Sequence, residues 1–192
     1  MGDPRKNRKK YDTPMHPWNK ARIDSEKILT REYGIRRKNE IWKHDSMLKN
    51  FHDVAKEVVA EGAKGETKKK QMIARLQKLG IITKDSNTTD AVLNVTLKDI
   101  MERRLQTLLL RKGFARTPLQ ARQFITHGHI KIGNRKVTAP SFLVPMKEES
   151  NINFVARSSL FSEEHPERVR KEAEPLVMEK TEETKAEEGI AQ

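Results

Sequence analysis

The chain has 192 residues, of which 35% are hydrophobic and 34% charged, a composition that leaves only a small apolar core for the length. A formal net charge of +12 favours a polyanionic partner over an acidic small molecule, and no apolar run approaches the roughly 18 residues of a membrane span. Cysteine is absent, which excludes disulfides and thiolate metal sites, and the start at Met1-Gly2-Asp3 lacks the apolar stretch of a secretory signal, so a cytoplasmic location is expected.

Residues 1–17 carry Arg5, Lys6, Arg8, Lys9 and Lys10 among Pro, Asn and Asp, with too few apolar groups to pack. They read as a basic arm that orders against a polyanionic partner. Residues 18–89 read as a helical domain. Asp24 or Ser25 caps a first helix that runs to Tyr33 and is closed by Gly34. A second, over 36–60, places Ile41, Trp42, Leu48, Phe51, Val54, Ala55, Val58 and Val59 on its buried side and ends at Gly62 and Gly65. A third, over 67–79, has Met72, Ile73, Leu76 and Leu79 as its apolar positions and Gly80 as its stop. A polar run over 84–89 separates this part from a module over 90–161.

In that module the spacing predicts one helix over 97–112, opened by the Thr96 and Asp99 capping pattern and closed by Gly113. Leu97, Ile100, Met101, Leu105, Leu108 and Leu109 form its buried stripe, with Arg104 and Arg111 together at the stripe's edge. Thr117 and Pro118 open a second helix that Gly128 ends. Ala121, Phe124 and Ile125 share one face of it, and Gln120, Gln123 and His127 form a polar row on another. The period then changes to alternation, with Ile130, Ile132 and Val137 bracketing Gly133-Asn134 as a two-residue hairpin. Ile152, Phe154 and Ala156 alternate with polar residues and predict a closing strand beside it. Over 97–145 ten cations (Lys98, Arg103, Arg104, Arg111, Lys112, Arg116, Arg122, Lys131, Arg135 and Lys136) face only Asp99 and Glu102, which points to a phosphate-rich ligand. The balance then reverses: over 163–192 ten glutamates face five cations, so 162–192 reads as an acidic tail, disordered or partly helical.

Arg103-Arg104-Leu105-Gln106-Thr107, followed by Ala121-Arg122 and Pro140-Ser141-Phe142, resembles the small RNA-binding domain named after small-subunit ribosomal protein S-four, in its archaeal and eukaryotic branch. Upstream, Arg22-Ile23-Asp24, Glu32-Tyr33-Gly34-Ile35-Arg36 and Glu40-Ile41-Trp42 are similar to the N-terminal half of the same family, so the resemblance runs from about 10 to 157. It departs from the family at the hairpin, where relatives often have Asn then Gly, and in lacking the cysteines with which bacterial members hold a metal. An α+β fold follows: a mostly helical N-terminal part, then two helices and a short antiparallel hairpin. The resemblance implies a structural protein of the small ribosomal subunit that binds rRNA, nucleates assembly of its 5′ domain, and contributes to decoding accuracy and to the region where messenger RNA enters. The implied partners are small-subunit rRNA, other small-subunit proteins and that messenger RNA, with no membrane, small-molecule substrate or cofactor.

The residues expected to hold rRNA are Arg103, Arg104, Arg111, Lys112, Arg116, Thr117, Gln120, Arg122, Gln123, His127, Lys131, Arg135 and Lys136. Further contacts are expected from Arg5, Lys6, Arg8, Lys9, Lys10, Arg22, Arg36, Arg37 and Lys38. His127-Gly128-His129 lacks the carboxylate or thiolate company of a metal site and reads as surface or base-stacking histidine. Trp18, Tyr33 and Trp42 read as packing residues. A biogenesis factor acting on precursor rRNA would share module and charge. An RNA-modifying enzyme would need a catalytic domain, and no catalytic motif set or Gly-rich cofactor loop is present.

Overall fold

The computed structural model describes residues 9, 11–83, 88–162 and 165–168. Arg5, Lys6, Arg8 and Lys10 of the basic arm, the polar run at 84–87 and the acidic stretch at 169–192 lie outside the described residues. The helical part comprises α1 (Lys20–Glu32), α2 (Lys38–Glu61), a short 3-10 turn (Gly62–Gly65), α3 (Glu66–Leu79) and a five-residue α4 (Thr89–Leu93). After it come α5 (Leu97–Glu102), α6 (Leu105–Arg111), α7 (Pro118–Thr126), and the strands β1 (Ile130–Ile132), β2 (Arg135–Lys136) and β3 (Ile152–Phe154). The sheet is antiparallel in the order β2-β1-β3.

Three expectations are corrected. The first helix starts earlier than Asp24, because Asn19 is its cap: the Asn19 carboxamide oxygen accepts from the Arg22 amide at 3.3 Å. Val59 is 62% exposed, since the buried face of α2 follows Phe51, Ala55 and Val58 and turns Val59 outward. The helix expected over 97–112 is two helices. Arg104 between them is extended (φ −70, ψ 143) and bridges Leu143. The Arg103 carbonyl accepts from the Val144 amide at 3.1 Å, and the Leu105 amide donates to the Phe142 carbonyl at 2.8 Å. Backbone groups at the break are thus satisfied by the incoming 142–144 segment, and the Thr107 hydroxyl donates to the Met101 carbonyl at 2.9 Å, covering the end of α5.

The remaining ends follow the residues that open and close them. Thr96 and Asp99 form the reciprocal capping box of α5, and the Thr117 hydroxyl accepts from the Gln120 amide at 3.2 Å to open α7. Ile132 and Arg135 are paired across the hairpin, so Gly133-Asn134 is a two-residue turn. Gly133 has φ +57, and no described non-glycine residue has positive φ. Positive φ at the first turn position alone is the type II′ requirement, which is why Gly precedes Asn here.

Two main cores result. Phe51, Ala55, Met72, Leu76, Val92, Val95 and Ile100 join α2, α3, α4 and α5, whereas Leu105, Leu109, Ala121, Phe124, Ile125, Ile130, Ile152 and Phe154 fill the module. A smaller cluster of Tyr33, Ile35, Ile41 and Met101 lies between them. Polar bonds close the same seam. The buried Gln106 carboxamide donates to the carbonyls of Tyr33 (3.1 Å), Gly34 (3.1 Å) and Pro118 (2.8 Å), and the Tyr33 hydroxyl donates to Glu102 at 3.1 Å. Gly34 has φ +59, and a Cβ there would lie 2.6 Å from the Pro118 Cβ and 3.0 Å from the Gln106 amide nitrogen.

Gly34→Ala is therefore expected to lower the unfolding free energy by about 2–5 kcal/mol, from the left-handed backbone plus the overlap. Gly113→Ala, also at positive φ but with nothing within 4 Å, should lose only about 1–2 kcal/mol. Urea unfolding of both variants checks this; equal losses would show that the contact with Pro118 carries no weight.

Candidate nucleic-acid interface

The module's cations divide by whether a carboxylate reaches them. Arg104 is fully buried (0% exposed), and its guanidinium bonds Glu40 and, at 3.6 Å, the Met101 sulfur. Arg122, mostly buried, takes the same carboxylate, donating to Oε1 at 2.8 Å and Oε2 at 3.3 Å. Arg103 pairs with Glu149 at 2.9 Å and donates to the Val144 carbonyl at 3.1 Å, while Lys112 donates to the Glu149 carbonyl. Arg111 is exposed but bonds both oxygens of Glu102, at 2.8 and 3.1 Å. The placement of Arg104 and Arg111 side by side on one helix edge is thus overturned. The break at Arg104 turns its side chain inward, toward a glutamate that α2 delivers from far away in the sequence.

The hairpin differs. Among the described residues no carboxylate lies within 4 Å of Lys131, Arg135 or Lys136. Lys131 and Lys136 are direct cross-strand partners, and Asn153 lies opposite Lys131 on the other side. Like charges in facing register repel, so this pair is best placed beside a polyanion. Arg135 lies over the Phe142 ring, 5.4 Å from its centroid. The stem of Lys136 crosses Gly128, where a Cβ would come within 2.0 Å of Cε, and the backbone there has φ +76. That crossing brings the ammonium to the C-terminal end of α7, where exposed His127 sits with its ring 6.1 Å from that of His129. The His129 Nδ1 lies 2.7 Å from the Ser158 hydroxyl; burial, His127 and Lys136 together lower its pKa. Gln123 is exposed one turn before His127. Gln123, His127, Lys136 and Lys131 thereby follow one another as a strip, while Arg135, next to Lys136 in β2 and paired with buried Ile132, points to the opposite face of the sheet.

The other expected residues fall elsewhere. Arg116 donates to the Pro166 carbonyl at 3.1 Å and the Arg168 carbonyl at 3.3 Å, and the Gln120 carboxamide donates to the Glu167 carbonyl at 3.1 Å. Segment 165–168 therefore lies over the N-terminal end of α7, where Thr117 serves as cap. In the helical part, Arg22 bonds Glu26 and the carbonyls of His16 and Pro17, and Lys38 pairs with Glu26 at 3.0 Å. The Trp42 indole also donates to Glu26 at 3.0 Å, so Tyr33 and Trp42 are packing residues as expected. Trp18 is not: it is 90% exposed. Lys9, Arg36 and Arg37 are exposed.

A break with its strand-like bridge, two helices and a hairpin bearing unpaired cations define an RNA-binding module of the S4 type, and the family model "S4 domain" matches residues 103–150. The chain is 48% identical over 169 residues to the small ribosomal subunit protein uS4 of Methanococcus aeolicus, covering 88% of this chain and 96% of that relative. It is 43% and 44% identical to the proteins of that name from Methanococcus maripaludis strains S2 and C5, over 88% of this chain and 95% of each relative. The chain belongs to the small ribosomal subunit protein uS4 family, as its paired motifs in the two halves implied.

Charge burial gives this site a pH signature. Burial raises the Glu40 pKa, but the Arg122 bonds and the charges of Arg104 and Arg122 outweigh it and hold the carboxyl below its ordinary 4.5. Its stabilisation is therefore full above pH 4.5 and lost as pH falls through the folded value. His44 is buried beside this group, and burial together with the Arg104 charge pushes it down to about 4 from 6.5. Between those values the unfolded chain binds a proton that the folded one refuses, so stability falls as pH drops from 6.5 toward 4. Glu40→Gln should cost about 3–5 kcal/mol at pH 7 by leaving Arg104 buried without its carboxylate. His44→Leu should flatten the stability profile between about pH 6.5 and 4. Chemical unfolding across pH reads both; an unchanged profile in His44→Leu would refute its share.

Proposed function

We propose that this chain is a structural, rRNA-binding constituent of the small ribosomal subunit, acting in the cytoplasmic ribosome. The observation that carries the reading is the set of hairpin cations without carboxylate partners among the described residues, Lys131 and Lys136 on one face near His127 and Arg135 on the other, on an S4 domain whose relatives bear the name of a small-subunit protein. Lysine and arginine on the hairpin neutralise phosphates, and Gln123 and His127 supply hydrogen bonds to backbone or 2′-hydroxyls. Such contacts read the shape of folded RNA more than its sequence. Exposed Lys9, Arg36 and Arg37 extend the cationic surface onto the helical part. The family membership supports a role in nucleating the 5′ domain of small-subunit rRNA, with other small-subunit proteins and messenger RNA, where it enters the subunit, as later partners. The same membership favours a resident of the subunit over a biogenesis factor and offers nothing in support of an enzyme.

Filter binding of a 5′-domain rRNA transcript at graded salt tests it. Replacing Lys131, Arg135 and Lys136 together by Gln should weaken binding and reduce the slope of log affinity against log salt by about 2–3, near 0.9 per phosphate released. Arg104→Leu should act on folding and leave that slope unchanged in the folded fraction. A triple variant with wild-type slope would overturn the assignment of the hairpin cations.

A further inference from the structure

We propose that the groove beside β3 is a binding site for a single unpaired nucleotide, which takes its base on Phe161 and its phosphate on Lys131; this rests on the RNA-binding reading above. The groove has a volume of about 490 Å³ and is lined by Phe114, Lys131, Asn153, Phe154, Phe161 and Arg168. Three aromatics, two cations and one amide, with no carboxylate among the described lining residues, are the chemistry of a nucleotide site. Rings take any base face, cations take phosphate, and a carboxamide bonds a base edge.

The ring that would receive the base is presented rather than stranded. Phe161 is 56% exposed, yet it ends a 3-10 turn (Ser159–Phe161) whose Leu160 is buried and whose first amides are capped by the Ser158 hydroxyl, which accepts from Leu160 at 3.1 Å. Arg168 donates to the Phe161 carbonyl at 3.1 Å and lies 5.0 Å from the centroid of the Phe154 ring, which itself meets Phe114 edge to face at 5.3 Å. The backbone that carries Phe161 and the Phe154 wall are thus held in place before binding.

Continuity with the strip selects RNA as the occupant. Lys131, which lines the groove, is the cross-strand partner of both Lys136 on the strip and Asn153 on the groove wall. A backbone that runs over Lys136 and Lys131 arrives at the groove with its next base free to turn in. A protein side chain could use the rings, but it would leave Lys131 and Arg168 without an anion unless it were acidic, whereas a nucleotide satisfies both parts.

The full chain is tested with two probes, the 5′-domain rRNA transcript and an unstructured octamer of uridines. Phe161→Ala should weaken octamer binding about 5- to 30-fold, and Phe161→Trp should retain it, since stacking is lost in one and kept in the other. Crosslinking with 4-thiouridine in the transcript should mark the peptide 158–168 in wild type and lose that mark in Phe161→Ala. Wild-type octamer affinity and crosslinking in Phe161→Ala would overturn the groove while leaving transcript binding, and so the function, intact. Failure of the wild-type chain to bind the transcript would instead remove the functional reading itself. Unchanged RNA binding by Phe161→Ala together with its loss from salt-washed small subunits would assign the groove to a protein neighbour and overturn the nucleotide.

Discussion

One carboxylate shared by two arginines holds the molecule together at the place where its two cores meet. Glu40, on α2, receives Arg104 from the break between α5 and α6 and Arg122 from α7. A guanidinium with no solvent contact carries a large desolvation cost, offset only where a carboxylate with good geometry lies beside it. The fold supplies that carboxylate from a different helical layer, so the charge pair also fixes the angle at which the helical part meets the module. Gln106, with three carbonyl partners from Tyr33, Gly34 and Pro118, reinforces the same seam a few residues on.

That arrangement sorts the cations by role. Arg103, Arg104, Arg111 and Arg122 each find a glutamate within the chain, whereas the hairpin cations find none among the described residues. The cross-strand pair of Lys131 and Lys136 sets like charges in facing register, an unfavourable arrangement in the isolated chain. The arginines that meet a glutamate tie elements of the fold together, while the lysines of the hairpin meet no carboxylate among the described residues. The groove beside β3 shares Lys131 with the hairpin, so cations and aromatic rings meet in one surface.

Much of this was legible in the chain. Gly34, Gly80, Gly113, Gly128 and Gly133 all have positive φ, and each stands where the sequence ends a helix or makes the hairpin turn. Thr96, Thr117 and Pro118 open helices where capping chemistry says they should. The break at Arg104 was not legible, because Met101 and Leu105 stand four apart and keep the helical phase through a residue that is extended. Only the Phe142 and Val144 backbone, arriving from forty residues downstream, shows why the helix stops.

The sequence by itself determined the α+β order of elements, the hairpin, the apolar faces and the net cationic excess of the module, because these depend on local propensity, spacing and composition. Which cations remain free to meet RNA was decided by tertiary structure alone. A charge is available or spent according to what lies within a few ångströms of it, and Glu40 and Glu149 reach Arg104, Arg122 and Arg103 only through the fold.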